Sequence, residues 1–270
     1  MDKYDQSLAG SNTVSKDAII ETVAESILDS KENLTVIDVN NEKIAVAEAR
    51  KMGITTVALI DTGPDMRQQL LKAKVENLDG IIYTHSHADH VHGIDDLRML
   101  VYKRRARLPA YADETTSKRL KEGFGYIFNQ PKGSNYPAIL DLKKLNKPTK
   151  INGPAGGIIF EPLEVKHGET DALGFKIGNL AYIPDVSEIY KETWEKILGI
   201  DTLIIDALRY DPHPSHSHVS QTLEWIEMLK PKKTYLINLN IELDYEKLSR
   251  EIPENVSVCY DMLRITQKII

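Results

Sequence analysis

Short apolar runs that alternate with amphipathic segments most constrain the fold of this 270-residue chain. The runs are too short for buried helices and are bounded by polar or turn-forming residues, as is typical of strands. They lie at Leu34–Val39, Thr56–Ile60, Gly80–Tyr83, Leu180–Ile183, Thr202–Ile205 and Thr234–Ile237. Helical periodicity occurs between them, at Asn41–Lys51, Asp65–Lys74, Ser187–Leu198 and Ser220–Leu229. This alternation predicts an α/β sandwich with helices packed outside the sheets.

Composition disfavours several classes of protein. The formal net charge of −6 argues against a general nucleic-acid or membrane-surface binder, because such proteins present a broad positive field. Cys259 is the only cysteine, which leaves neither an intrachain disulfide nor a cysteine-based zinc site. The acidic N-terminus leads into no apolar segment of signal-peptide type, and no run of about 18 apolar residues occurs. We therefore predict a cytoplasmic protein with no membrane partner.

The segment from Thr84 to His90, THSHADH, follows a predicted strand directly and carries three histidines and an aspartate. Imidazole and carboxylate groups are ligands that borderline metals prefer, and crowding them together without a cation is unfavourable. Strand alternation would place His85 and His87 on one face, while Asp89 would open the following turn. The segment therefore predicts a metal site, with a geometry that can serve two adjacent ions.

Two further polar residues end predicted strands. His167 follows the alternating run Phe160–Val165, and Asp185 follows Leu180–Ile183. Taken alone, each is more typical of a hydrogen-bonded turn residue than of a metal ligand. Open α/β sheets build their sites at the carboxyl ends of strands, so we expect both residues to converge with the first cluster.

With these residues in place, the chain resembles the metallo-β-lactamase superfamily, whose signature Thr-His-x-His-x-Asp-His is matched from Thr84 to His90. The resemblance covers about residues 56 to 265. Within the superfamily, Gly93–Arg98, Asp185–Ser187 and Asp206–Tyr210 are most similar to the phosphodiesterase branch related to phosphoribosyl 1,2-cyclic phosphodiesterase. The resemblance implies an αββα sandwich and a metal-dependent hydrolase.

The resemblance also implies roles for individual residues. One divalent ion, Zn or Mn, would be held by three histidines, namely His85, His87 and His167. Asp89 and His90 would hold a second ion, and Asp185 would bridge the two. Asp61 would fix the orientation of a ligand histidine; the alternative is a plain turn aspartate.

The chain departs from the family pattern at two places. A last ligand histidine is usual after the strand at Thr234–Ile237, where this sequence has Asn238 and Asn240. An amide oxygen is a poor zinc ligand but is acceptable to harder ions such as manganese, which predicts a weak second site. The usual N-terminal glycine-rich loop is also missing, and residues 41–54 are similar to part of the second protein of the small ribosomal subunit. We predict an atypical segment, residues 1–55, packed on a hydrolase domain of residues 56–270.

A further group of histidines, His213, His216 and His218, precedes the helix predicted near Ser220. Histidine can donate a proton near neutral pH, and the phosphodiesterase branch uses a histidine from this region for that purpose. We predict His218 as the general acid, with His216 next, and Asp89 as the group that orients the attacking hydroxide. The alternative is a solvated polar loop.

Together these features predict a metal-dependent phosphodiesterase that cleaves a small cyclic phosphate or a nucleotide phosphodiester. Three alternatives stay open. They are another hydrolase of the superfamily such as a β-lactamase or thioester hydrolase, an RNA 3′-processing enzyme, and a non-catalytic phosphate or nucleotide binder with an impaired site. A long nucleic-acid partner is not expected, because no long basic arm is present. The sequence leaves a homodimer open.

Overall fold

The computed structural model describes residues 33–39, 44–51 and 54–268, which form two β-sheets with helices. The strands of the first sheet are Asn33–Val39 (β1), Ile44–Lys51 (β2), Ile54–Ile60 (β3), Gly80–Ile82 (β4), Leu108–Ala112 (β5), Leu140–Lys144 (β6) and Leu263–Lys268 (β15). Their order in the sheet is β15-β1-β2-β3-β4-β5-β6. Strands β3 to β6 are parallel to one another, so their carboxyl ends lie at the same edge.

The second sheet contains the remaining strands. They are Thr149–Gly153 (β7), Gly156–His167 (β8), Thr170–Ile177 (β9), Leu180–Ile183 (β10), Glu188–Ile189 (β11), Thr202–Asp206 (β12), Lys233–Ile237 (β13) and Val256–Val258 (β14). Their order is β11-β8-β9-β10-β12-β13-β14, and β7 pairs with β8. Strands β10, β12, β13 and β14 run parallel, so this sheet also gathers carboxyl ends at one edge.

The helices complete the layers. They are Met66–Lys72 (α1), Ala88–Val91 (α2), Arg98–Arg104 (α3), Glu114–Phe128 (α4), Lys191–Ile197 (α5), Val219–Leu229 (α6) and Tyr245–Glu251 (α7), and a 3₁₀ turn spans Ile94–Leu97. Among the described residues, no helix combines the length and the apolar character needed to cross a bilayer.

Alternate residues of the central strands belong to different cores. Ile60 packs between the sheets with Phe160 and Phe175, whereas its neighbour Leu59 packs outward among residues from the helices that cover the first sheet. A third core joins the outer face of the second sheet to α5, α6 and α7. Strands buried on both faces read as continuous apolar runs, which is why the sequence revealed them. The predicted αββα sandwich is confirmed.

One helix prediction is wrong. Asn41–Lys51 was expected to be helical, but Ile44–Lys51 forms β2, which pairs with both β1 and β3. The segment is rich in alanine and charged residues, which favours a helix locally, yet pairing on both sides overrides a weak propensity. Within the segment 1–55, residues 33–39 and 44–51 thus supply two strands of the first sheet. Residues 1–32 lie outside the described residues.

Gly93 joins the end of the histidine motif to the turn after β3. Its amide donates a hydrogen bond to the carbonyl oxygen of Thr62 over 2.8 Å, and an added Cβ would overlap the carbonyl of Gly63. We expect Gly93→Ala to lower the free energy of unfolding by about 3 kcal/mol, because two backbone segments must separate. Gly123→Ala is the control, since its Cβ meets open space within α4. Denaturant unfolding measures both, and a Gly93→Ala protein of wild-type stability would contradict the tight contact.

Candidate metal centre

Predicted ligands from both sheets come together where the strand ends meet. We call five of them the His/Asp cluster: His85, His87, His90, His167 and Asp185. Neighbouring imidazole rings lie 4.1 to 4.9 Å apart between centroids. The amide of Leu173 in β9 donates to the carbonyl of Thr84 over 3.0 Å, which ties the two sheets together beside the cluster.

Asp185 follows β10 and lies at the middle of the cluster. Its Oδ2 is 3.3 Å from Nε2 of His90, 3.5 Å from Nε2 of His167 and 3.7 Å from Nε2 of His85. The Nε2 atoms of His85 and His90 are buried and have no hydrogen-bond partner among the described residues, which is unfavourable unless a cation binds there. Imidazole and carboxylate donors in this arrangement fit a divalent metal.

His87 and His167 complete the His/Asp cluster. The ring of His167 is buried and its Nδ1 donates to the carbonyl oxygen of Ser215 over 2.6 Å. In the neutral ring this leaves the Nε2 lone pair facing Nδ1 of His87, 3.1 Å away. The side chain of His87 is exposed, as is that of Asp89. The cluster therefore has an open face through which a substrate can approach.

The pKa values of the histidines differ with their surroundings. Burial lowers the pKa of His85 well below its usual range and lowers that of His167 to about 4, although Asp185 opposes the shift in both. Both rings are neutral near pH 7, as metal ligands must be. Burial also disfavours the charged form of His90, but the carboxylates of Asp185 and Asp61 outweigh it and raise its pKa to about 9, so its Nε2 can bind a metal only after it loses that proton.

Asp61 contacts His90 of the cluster and the neighbouring Thr84. It is buried at the end of β3 with a positive φ of 59°, a conformation that aspartate tolerates in sharp turns. Its Oδ2 accepts from Thr84 Oγ1 over 2.6 Å and lies 2.8 Å from Nδ1 of His90, while its Oδ1 accepts from the Thr84 amide. Asp61 thus lies where the resemblance predicted an orienting carboxylate, and Nε2 of His90 points toward Asp185.

A second aspartate–histidine pair borders the cluster. Asp206 is fully buried at the end of β12, and its Oδ2 lies 2.8 Å from Nδ1 of His216. Nδ2 of Asn238 donates to Oδ1 of Asp206 over 3.0 Å and lies 3.1 Å from Nδ1 of His216. A ring nitrogen of His216 falls within 4.8 Å of ligand atoms of His167 and Asp185. The structure therefore brings His216 to the cluster.

The other two histidines of this loop are placed differently. His218 is the residue before α6, and among the residues that the structure describes it belongs to no group of histidines and aspartates whose ligand atoms lie within 4.8 Å of one another. Nδ1 of His213 accepts from the Ser215 amide over 3.3 Å, and its ring centroid is 5.2 Å from that of His216. His216 is thus better placed for chemistry at the cluster than His218, the residue that the sequence put first.

Sequence reasoning assigned no role to Asp206. A signal was available, because Asp206 follows the apolar run Thr202–Ile205 in the way that Asp61 and Asp185 follow theirs. Asn238 was noted only as the replacement for a ligand, and its contacts with Asp206 and His216 became visible in the fold.

Comparison with known proteins identifies the family. A family model described as "Beta-lactamase superfamily domain" matches residues 56–237. The chain belongs to this superfamily. The predicted membership is confirmed, and a metal-binding, hydrolytic fold accords with the His/Asp cluster. A second family model, ribosomal protein S2, matches residues 11–69, so the chain is similar to that protein over a short N-terminal stretch.

Individual relatives differ in their sequence identity to this chain and in the fraction of their length that it covers. An octanoyltransferase of Porphyromonas gingivalis (strain ATCC BAA-308 / W83) is 33% identical over 207 residues, which are 76% of this chain and 41% of that protein. The chain therefore spans about two fifths of that relative's length. The crystal structure of a new diphosphatase from the PhnP family is 35% identical, with a TM-score of 0.73 over 83% of this chain and 84% of that one. Human tRNase Z, short form (ELAC1), is 15% identical, with a TM-score of 0.61 over 86% and 98%, and shares the fold.

Proposed function

We propose that this chain is a metal-dependent phosphodiesterase that hydrolyses a small cyclic phosphate or nucleotide phosphodiester. The observation that carries the proposal is a metal-type His/Asp cluster bordered by a separate imidazole, His216, which Asp206 orients. Hydrolysis of a phosphodiester needs an activated water on one side of phosphorus and a proton donor on the other. The 35% identity to a diphosphatase of the PhnP family supports phosphoryl chemistry.

Different residues of the chain would perform the separate steps of this reaction. Bound divalent ions would lower the pKa of a water molecule and neutralise charge on the phosphoryl oxygens. The carboxylate of Asp89, which is 52% exposed at the open face, would orient the attacking oxygen. As the new P–O bond forms and the bond to the leaving oxygen breaks, His216 would donate a proton to that leaving oxygen. Asp206 would hold the imidazole in the required orientation.

We propose that two ions, Zn or Mn, bind with unequal strength. His85, His87 and His167 would hold one ion together with Asp185, whereas Asp89 and His90 would hold the other, with Asn238 where the family pattern has a further histidine. Nδ2 of Asn238 faces Asp206, and an amide nitrogen does not bind cations. Only its oxygen could act as a ligand, and it would favour a harder ion such as manganese.

The comparisons give no second candidate function. The likeness to tRNase Z is one of fold, and the octanoyltransferase name belongs to a protein of which this chain spans two fifths. A site-impaired binder of phosphate or nucleotide is instead an outcome that the metal experiment can detect. The acidic composition and the single cysteine favour a cytoplasmic location for the proposed enzyme.

Metal removal tests the proposal. The protein loaded with Mn or Zn should hold about two equivalents and hydrolyse bis(p-nitrophenyl) phosphate. Chelation should abolish turnover and lower the melting temperature by about 10 °C, because ligand binding to the native state adds roughly 4 kcal/mol at saturating metal. Adding the metal back should restore both.

The matched control is the His92→Ala protein, which changes an exposed histidine outside the cluster and should respond to chelation as the wild type does. One equivalent of metal or none, without turnover in any metal, would support the impaired binder. Full activity after exhaustive chelation would refute the metal-dependent mechanism.

A further inference from the structure

An open groove of about 980 Å³ lies beside the candidate centre. The segments that follow β12, β13 and β14 form it, so it occupies the same edge of the second sheet as the cluster. We name it the tyrosine groove and define it by Leu208, Asn238, Ile241, Leu243, Tyr245 and Tyr260. Its volume falls in the range of roughly 300–1,000 Å³ that is typical of small-molecule sites.

Asn238 joins the groove to the centre. It lines the groove, and its side chain also contacts Asp206 and His216. The amide of Asn240 donates to the carbonyl of Leu208 over 2.8 Å, which fixes the loop after β13 against the loop after β12. Asn238 therefore lies between the groove and His216, which borders the cluster, so the groove is one side chain away from the proposed proton donor.

The residues that line the groove favour one kind of ligand group. Ile241 is 98% exposed, Tyr245 is 45% exposed and Tyr260 is 41% exposed, so large apolar and aromatic surface faces solvent here. Among the described residues that line the groove there is no lysine, arginine or histidine, and the charged member is Asp261. An additional phosphate is disfavoured in such a place. A flat, uncharged ring fits it, because tyrosines stack on ring faces and the side-chain amide of Asn240 can meet a polar ring edge.

Other tyrosines of the chain are less suited to stacking on a ligand ring. Tyr210 has its hydroxyl bound to Glu251 over 2.7 Å and Nζ of Lys247 5.2 Å from its ring centroid, so its surface is already engaged. Tyr136 is 69% exposed, but it lies in the connection before β6, on the first sheet. Tyr245 and Tyr260 are the exposed aromatic residues whose groove reaches the cluster through Asn238.

We infer that the tyrosine groove is the subsite for the base of a nucleoside phosphodiester. The inference rests on the proposed function and narrows its substrate class from any small phosphodiester to nucleoside esters. It assigns the base-binding role to Tyr245, Tyr260 and Ile241, which do not take part in the chemical step.

A pair of esters with the same leaving group tests the assignment. Thymidine 5′-(4-nitrophenyl phosphate) carries a base, methyl 4-nitrophenyl phosphate does not, and both release 4-nitrophenolate. Loss of a stacking partner should raise KM for the thymidine ester about 10-fold in Tyr245→Ala, with kcat unchanged. Ile241→Asn should act in the same direction, and its exposed position means that it should not impair folding. Hydrolysis of the methyl ester should be unaffected in both variants.

Tyr136→Ala is the matched control and should leave both esters unchanged. An increase in KM for the thymidine ester in Tyr136→Ala alone, or an unchanged ratio of the two esters in Tyr245→Ala, would overturn the inference. If neither ester is hydrolysed, the proposed function fails. Calorimetric titration of the metal-loaded protein with thymidine 5′-monophosphate then tests separately whether the tyrosine groove binds the base. Binding that weakens about 10-fold in Tyr245→Ala supports it. Equal affinity, or no binding by the wild type, refutes it.

Discussion

His87→Ala is expected to lower kcat/KM for phosphodiester hydrolysis by at least about 1,000-fold, which corresponds to roughly 4 kcal/mol of transition-state stabilisation. Nδ1 of His87 lies 3.1 Å from Nε2 of His167, and because His87 is exposed, the change removes a proposed ligand without opening a cavity. Steady-state kinetics should show the loss, and metal analysis should show reduced occupancy. The melting temperature of the metal-free variant should match that of the metal-free wild type.

The control for this change is His92→Ala in the same segment. His92 is also exposed, and its ring centroid lies 5.9 Å from that of Phe124 rather than beside the cluster. This variant should keep wild-type activity and metal content. Persistent turnover in His87→Ala, with metal content unchanged, would mean that the assigned centre is not where hydrolysis occurs.

Much of the centre was predictable because its ligands are local or end a strand. The segment from Thr84 to His90 carries four donors within six residues, and β8 and β10, which both run antiparallel to β9, bring His167 and Asp185 to the same edge. A strand buried on both faces produces a continuous apolar run, and the six runs named from the sequence all form strands, namely β1, β3, β4, β10, β12 and β13. These features need no knowledge of distant contacts.

The features that sequence reasoning missed depend on distant contacts. In β2, Ala45 and Ala47 pack between the sheets while Ile44 and Val46 pack outward. The apolar run of β2 ends after four residues at Ala47, and the alanine and charged residues that follow favour a helix locally. The preference for His216 over His218, which lies in the same loop, rests on a contact with Asp206 from a different element. The sequence alone could not show that contact.

The same geometry explains why the loop carrying His216 stays at the cluster. Nδ1 of His167 donates to the carbonyl of Ser215, and Oγ of Ser217 donates to the carbonyl of Asp206 over 2.7 Å. The two neighbours of His216 are thus held in place. Ser215 is bonded to His167 of the cluster, and Ser217 is bonded to Asp206 at the end of β12. Such support on both sides is what a proton donor needs, because its position relative to the leaving oxygen must be held.

His216→Ala is therefore expected to lower kcat about 100-fold for 2′,3′-cyclic AMP, whose leaving group is a sugar alkoxide that needs a proton. For bis(p-nitrophenyl) phosphate the loss should be much smaller, because 4-nitrophenolate leaves without protonation. The ratio of the two losses is the measured quantity. It separates proton donation from damage to the centre as a whole, which would slow both substrates alike.

His218→Ala is the matched control, two residues along the same loop, and should leave the ratio of the two substrates at its wild-type value. The opposite pattern, with a selective loss in His218→Ala and none in His216→Ala, would restore the first choice made from the sequence. His216 also lies within reach of a cation shared with His167 and Asp185, so metal content must be measured in the same samples. Equal losses on both substrates together with loss of metal would make His216 a ligand rather than the acid, because a ligand affects the attacking water as much as the leaving group.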